Sequence, residues 1–193
     1  MLGYTVLTGA IIPRPIGFIS SISADGQVNL APFSFFNAVC GEPPMVIFAP
    51  MNRNPPKDTL LNVKATGEFV VNIVSESIAE QMNLTAGDYP PDVNEFDVSK
   101  LTPLPSHMVR PPRVAESPVN MECKVRQIIE LSSQPWGGHL ILGEVVLFHV
   151  FDDIIEPVNY FIDPDKLAAI GRMGGPQYSK IHDRLEMIRP VVK

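Results

Sequence analysis

The chain has 193 residues, 45% of them hydrophobic and 19% charged, which is enough to bury a core as one globular domain over residues 1–193. A net charge of −6 and a pI near 5.2 argue against nucleic-acid partners, whose phosphates need clustered basic charge. The longest apolar runs are broken by Pro, Gly or charge and no block of like charges stands out, so neither a membrane-spanning helix nor a membrane-docking patch is expected.

The N-terminus shows no basic stretch followed by an apolar run, so no signal peptide is expected. Met1-Leu2-Gly3 leads almost directly into patterned sequence, which leaves open whether residue 1 is the native start. Pro13-Arg14-Pro15 stiffens the approach to a first strand, IGFISSIS over 16–23. Asp25-Gly26 then supplies hairpin turn chemistry, and Val28 to Ala31 returns. The stretch LAPFSFFN over 30–37 fits no plain rule. Pro32 cannot donate to a sheet ladder, and three phenylalanines do not belong on a surface loop. Two readings stand: a flat apolar wall for a planar heteroaromatic ligand, or a strand bent at Pro32 with its rings in an ordinary core.

Met45 to Ala49 reads as a buried strand, Lys57 to Ala65 as a short helix closed by Gly67, and Glu68 to Val74 as a strand. Ser77 and Glu80 have capping-box spacing for a helix running to about Leu84. From Asp88 to Pro118 proline and polar residues dominate without a period, which predicts a long excursion over the surface. Val119 to Leu131 alternates, with Met121, Cys123, Val125, Ile129 and Leu131 on one face and Glu122, Lys124, Arg126 and Glu130 on the other. Leu140 to Phe151 is apolar on both faces, as for a strand covered on both sides or at a subunit contact. A short helix after Asp165 and a Gly-rich loop at 171–175 follow. Twenty prolines, roughly twice the usual share of about 5%, limit long helices. The expected fold is mainly β with a few short helices, closed as a barrel.

Cys40 and Cys123 form no Cys-x-x-Cys pair, so reduced thiols in a cytoplasmic protein are expected. Dinucleotide-fold, P-loop, nucleophile-elbow and His-Glu-x-x-His signatures are all missing. His107, His139, His149 and His182 are scattered without ligand spacing, so no metal is expected. Asn83-Leu84-Thr85 is read as an accidental sequon. What remains suits an anionic planar cofactor. Arg53, Lys57, Asp58 and Thr59 put two cations and a hydroxyl at a helix start, where phosphate is favoured; the plainer reading is a solvated loop. Arg14 fixes a guanidinium before the first strand, and Ser20 and Ser21 offer hydroxyls on it.

In order along the chain, PRPIGFISSIS, NLAPFSFFNAV, MVIF, KDTLLN, TGEFVVNI, ESPVNMEC, GGHLILGEV and GRMGGPQY resemble the flavin reductase-like family of FMN-binding split-barrel flavoproteins, over nearly the whole length. The resemblance implies a homodimer of split β-barrels with FMN bound noncovalently near the subunit interface. It places Ser34, Phe35, Phe36 and Asn37 along the isoalloxazine, Ser20 and Ser21 beside the ring and ribityl chain, and Arg53, Lys57, Asp58 and Thr59 at the phosphate. Arg172, Met173, Gly174 and Tyr178 match a C-terminal loop that reaches the site. It also implies an oxidoreductase taking hydride from NAD(P)H, with His139 near flavin and nicotinamide. One departure stands out: the family's Gly-Asp-His is here Gly137-Gly138-His139, without the orienting carboxylate. His139 as a structural turn residue therefore stays open, and so does a non-catalytic FMN carrier or flavin store. An aromatic platform for single-stranded nucleic acid is disfavoured by the acidic charge.

Overall fold

Residues 2–192 are described by the computed structural model; Met1, on which the question of the native start falls, lies outside them. The chain opens with helix α1 (Leu2–Ala10), followed by the short strand β1 (Arg14–Pro15), β2 (Gly17–Ile22), β3 (Val28–Phe33), β4 (Phe36–Gly41) and β5 (Pro44–Phe48). Helix α2 (Asp58–Thr66) and strand β6 (Glu68–Ile73) come next. A single 3-10 turn (Glu76–Ile78) runs into α3 (Ala79–Leu84), and α4 (Glu95–Ser99) follows. The short pair β7 (Pro103–Leu104) and β8 (Arg113–Val114) precedes the two long strands β9 (Val119–Ser132) and β10 (Gly138–Val150). Helix α5 (Pro164–Leu167), β11 (Ile170–Arg172) and β12 (Tyr178–Lys180) finish the fold.

Seven strands form one antiparallel sheet in the order β3-β2-β6-β9-β10-β5-β4, and β1-β11-β12 form a second, smaller sheet. The β2–β3 hairpin turns at Asp25-Gly26, where Gly26 takes φ 93°, a region that only glycine enters at little cost. Pro32 lies inside β3, and β3 is an edge strand, so the missing N–H breaks no ladder. After Phe33 the chain bends at Ser34-Phe35 and continues as β4, which lies at the opposite edge of the same sheet. That crossing curls the sheet toward a barrel. Phe36 at the start of β4 packs against Gly17 of β2, where a Cβ would come within 2.7 Å of the ring. The enclosed core holds Ile19, Phe33, Phe48, Phe69, Val71, Cys123 and Ile141, with the Phe33–Phe48 and Phe48–Phe69 rings 5.2 and 5.1 Å apart. A second apolar cluster lies between the β2–β3 side of the sheet and α3, α4 and β8.

Three expectations from the sequence need correction. The segment from 88 to 118 is no surface excursion: Phe96, Leu101 and Val114 belong to the second core cluster. Its backbone is stitched to the sheet by buried asparagines, since Val114 N donates to Asn72 Oδ1 and Asn120 Nδ2 donates to Val114 O. The alternation of β9 does not run through to Leu131. A register shift opposite Leu142/Gly143 leaves Arg126 as an extra residue, so Ile128 turns inward while Ile129 and Leu131 turn out. Glu122 on the expected solvent face is fully buried, covered by the 107–109 turn whose three N–H groups it accepts at 2.8, 2.5 and 3.2 Å. Finally, the Ser77–Glu80 capping box does not form. Ser75 precedes the 3-10 turn, and Ser77 Oγ instead meets Ser75 Oγ at 2.7 Å. Helix α1 and strand β4 were not anticipated, and among the described residues no helix is long and apolar enough to cross a membrane.

Candidate functional site

Two adjoining hollows make a trough along the outer side of β3. One end, about 70 Å³, is walled by Arg53, Lys57, Asp58 and Thr59 at the start of α2, by Asn29, Ala31 and Pro32 of β3, and by Glu95 of α4. The other end, about 190 Å³, is lined by Ser34, Arg172 and Tyr178, with Met82 and Asn83 of α3. Pro32 and Ala86 belong to both walls, so the two lie side by side. A larger hollow of about 510 Å³ adjoins the second end and shares Asn83 and Tyr178 with it.

The first end sets two cations, Arg53 and Lys57, beside two carboxyl groups, Asp58 and Glu95. Asp58 begins a nine-residue helix whose N-cap, Lys57, makes no side-chain cap, so the positive end of α2 opens toward the hollow. Lys57 is half-buried, and its pKa is lowered first by burial and then by the Arg53 guanidinium beside it. Arg53 pairs with Asp88 through Nη1, while its Nε is buried without a partner. Two like charges held together and an orphaned donor are the state an entering anion relieves. Thr59 is buried with its hydroxyl 2.9 Å from Asn29 Nδ2, so it is held in place before any ligand arrives.

The second end is assembled by Arg14. Its guanidinium is buried and reaches four acceptors: Thr8 O at 2.5 Å, Ile11 O at 2.8 Å, Met173 O at 3.1 Å and Ser34 Oγ at 3.3 Å. Arg14 thus fastens α1, the bend after β3 and the loop after β11 to one another. In that loop Arg172 lies 4.6 Å over the Tyr178 ring and donates to Gly175 O. The Tyr178 hydroxyl donates to Asn83 Oδ1 at 3.3 Å.

Of the residues expected at the site, Arg53, Lys57, Asp58, Thr59, Ser34, Arg172 and Tyr178 line the trough. Met173 and Gly174 lie in the adjoining loop, Met173 through its bond to Arg14. Others depart. Ser20 and Ser21 are fully buried, and their hydroxyls serve inside the fold: Ser20 donates to Pro112 O at 2.5 Å and Ser21 accepts from Asn62 Nδ2 at 3.1 Å. A strand covered on both faces leaves neither hydroxyl to a ligand. Arg14 braces the site instead of facing a phosphate. Phe36 packs on the barrel core, Phe35 faces Tyr4 of α1 at 6.5 Å, and Asn37 is exposed on β4, bonded to Ala38 N; none of the three lines the trough. His139 stands apart as well. Its Nε2 lies 3.1 Å from Lys64 Nζ, its backbone N donates to Pro50 O, and its Nδ1 is buried without a partner. Burial and then Lys64 lower its pKa, so the imidazole is neutral and accepts from the ammonium. Sequence reasoning missed Asn29, Asn83, Ala86 and Glu95, which only the folding of α3 and α4 onto β3 brings here.

A family model described as "Flavin reductase like domain" matches residues 9–165. Among solved structures, nitrilotriacetate monooxygenase component B from Bacillus cereus is 36% identical at a TM-score of 0.91, covering 96% of this chain and 92% of that one. The Pseudomonas fluorescens 2-nitrobenzoate 2-nitroreductase is 33% identical at 0.89, covering 98% and 91%. A protein with a split barrel domain from Shewanella frigidimarina NCIMB 400 is 24% identical at 0.85, covering 97% and 91%, and speaks for the fold alone.

Proposed function

This chain belongs to the flavin reductase-like family of split-barrel proteins, and on that premise we propose that it is an FMN-dependent oxidoreductase using NAD(P)H. The observation that carries the reading is the trough itself: a pocket at one end that brings Arg53 and Lys57 together, adjoining a groove of mixed polarity at the other. The residues fit the group. Arg53, Lys57, Thr59 and the start of α2 would hold the phosphate, and Pro32, Ala86 and Met82 offer apolar flanks along the middle. Ser34, Arg172 and Tyr178 would face the ring end. A bound flavin supplies two-electron acceptance from NAD(P)H and delivery to an acceptor. This chain's task is then to bind and orient. Arg172, fixed by Gly175 O and the Tyr178 ring, keeps a positive charge at the groove, where it favours an electron-rich ligand. The hollow beyond Tyr178 leaves room for a second reactant. His139 takes no reacting role in this reading, because it is in neither wall of the trough.

The same reading includes a homodimer. Leu185, Met187, Ile188, Val191 and Val192 of the C-terminal tail are each more than four-fifths exposed, and Phe148 and Phe151 at the end of β10 and Val6 and Ile11 near α1 are also open. Light scattering of the FMN-loaded protein at micromolar concentration tests it, and a monomer refutes it. For the activity, the visible spectrum of the purified protein is followed by anaerobic mixing with NADH and with NADPH. Rapid bleaching of a bound flavin is expected. Flavin that binds but does not bleach with either nucleotide makes the protein a carrier, and no flavin affinity refutes the site.

A further inference from the structure

Asp58 and Glu95 both stand in the wall of this hollow, and a carboxyl group that is buried there opposes an anion unless it carries a proton. Glu95 is such a group: it is buried, it lines the same hollow as Arg53, Lys57 and Thr59, and it accepts from Leu30 N through Oε2 at 3.0 Å. Its other oxygen, Oε1, lies 3.3 Å from the side-chain amide of Asn29, and that amide lies 2.9 Å from the Thr59 hydroxyl. The three side chains form a chain of hydrogen bonds from α4 through β3 to the first turn of α2.

This chain has two polarities with the same heavy-atom positions. The ionised one satisfies every partner, and the protonated one sets the Asn29 amide nitrogen 3.2 Å from Leu30 N, donor against donor, with Leu30 N left to Glu95 Oε2 alone. With Glu95 ionised, the Asn29 amide nitrogen donates to Glu95 Oε1, and the Asn29 oxygen accepts from Leu30 N and from the Thr59 hydroxyl. Thr59 then shows the hollow only lone pairs. With a proton on Glu95 Oε1, the acid donates to the Asn29 oxygen, the amide nitrogen donates to Thr59 Oγ1, and the Thr59 hydrogen is released toward the hollow. We infer that Glu95, Asn29 and Thr59 are a proton-linked relay that turns the Thr59 hydroxyl from acceptor to donor, so that binding of the FMN phosphate is coupled to uptake of one proton by Glu95.

The surroundings agree with a carboxyl that changes state here. Burial raises the Glu95 pKa above the usual carboxylate range and Asp58 adds to it, while the Leu30 N–H and Arg53 oppose it. The other charged groups near the hollow are Lys57, next to α2, and Asp88, already paired with Arg53; Tyr89 also lines it. β3 contributes no titratable side chain, and Glu80 of α3 lines the separate, larger hollow. A phosphate entering between Arg53 and Lys57 brings negative charge against the carboxylate, which favours the protonated form further.

The inference rests on the FMN reading of the trough, and calorimetry separates the two. FMN is titrated into the full chain in buffers of differing ionisation enthalpy, over a mildly acidic to mildly basic range, beside riboflavin and beside Glu95→Gln. Wild-type protein should take up a fraction of a proton, approaching one, with FMN but not with riboflavin. Because a hydroxyl converted from acceptor to donor toward a charged group changes affinity on the order of ten-fold, FMN should bind that much more tightly on the acidic side. Gln at 95 donates to the Asn29 oxygen permanently and still accepts from Leu30 N. Glu95→Gln should therefore bind FMN tightly with no uptake at that site, while Thr59→Val should bind weakly at every pH. Phosphate brings its own ionisation near pH 6, common to all the proteins, so the difference between wild type and Glu95→Gln is the readout. Equal proton uptake by these two overturns the relay while leaving the FMN site intact. FMN that binds at no pH to a protein that still melts cooperatively removes the site itself, and the relay with it.

Discussion

Replacing Lys57 with Met keeps most of the apolar stem and removes only the charge. The ammonium sits half-buried against Arg53, facing a hollow that also holds the Thr59 hydroxyl and the open end of α2. A hydrogen bond to a charged group contributes about 1.5–3 kcal/mol, so FMN affinity should fall roughly ten- to a hundred-fold. Riboflavin shares ring and ribityl chain but has no phosphate, and its affinity should barely move. The folded protein without flavin should hold its melting temperature or gain slightly. Burial and Arg53 lower the Lys57 pKa, so the folded state binds this proton less tightly than the unfolded chain does. Below the lowered value the ammonium is a cost to folding, a cost that rising pH removes and the methionine lacks altogether. Parallel titrations of both ligands into both proteins yield the coupling between Lys57 and the phosphate. Equal losses for FMN and riboflavin refute the placement.

Glu122→Ala should cost about 3–5 kcal/mol at neutral pH, because it removes the buried acceptor of three N–H groups, that of Val109 buried, and the partner of His149, whose Nε2 lies 2.7 Å from Oε1. Burial alone would raise the Glu122 pKa, but the His107 N–H, His149 and the Met108 N–H outweigh it and hold it low. Its contribution is therefore present above the ordinary carboxylate range and lost as pH falls through the lowered value, so urea unfolding of the variant should show a flatter acid limb than wild type. Gly143→Ala places a methyl 2.3 Å from Cζ of the fully buried Phe69 and should destabilise by about 1–3 kcal/mol; an unchanged denaturation midpoint would mean the ring yields freely. Phe36→Ala should lower the flavin-free stability by about 3 kcal/mol, since that ring packs on the core and over Gly17. Phe35→Ala, whose ring faces Tyr4, should cost far less, and comparable melting losses for the two would show that Phe35 is core as well.

The parts of this molecule that declare themselves in the sequence are those set by neighbours in the chain. The Asp25-Gly26 hairpin, the helix closed by Gly67 in its left-handed conformation and the cations before α2 are all local, and they are where the sequence puts them. Parity is less secure. One extra residue at Arg126 reverses which of Ile128 and Ile129 faces the core, and no local signal in a run of alternating residues reveals it. Burial of polar groups is hidden for a similar reason. Ser20, Ser21 and Glu122 read as solvent-facing until Asn62, Pro112 and the 107–109 turn are folded over them. Glu95 and Asn29 are distant in sequence from Thr59, and only packing of α4 and α2 against β3 makes them neighbours.

The two ends of the trough are held by different physics, and this bears on how each responds to change. The anion end is rooted in the β2–β3 hairpin and α2, where neighbouring groups are bonded pairwise: Asn29 with Thr59, Leu30 with Glu95, Ser21 with Asn62. Loss of one bond there leaves the remaining backbone in place, so substitutions act on affinity before they act on shape. The ring end depends on three segments far apart in sequence, α1, the Ser34 bend and the loop after Arg172, joined through the one guanidinium of Arg14. A guanidinium with five N–H groups in fixed geometry serves four acceptors at once, one more than the three N–H groups of an ammonium could. The guanidinium that Pro13-Arg14-Pro15 places before the first strand is spent on bonds within the protein. Arg14 does not itself line the trough, yet it bonds the wall residue Ser34 and the loop carrying Arg172, and it does so as a buried side chain.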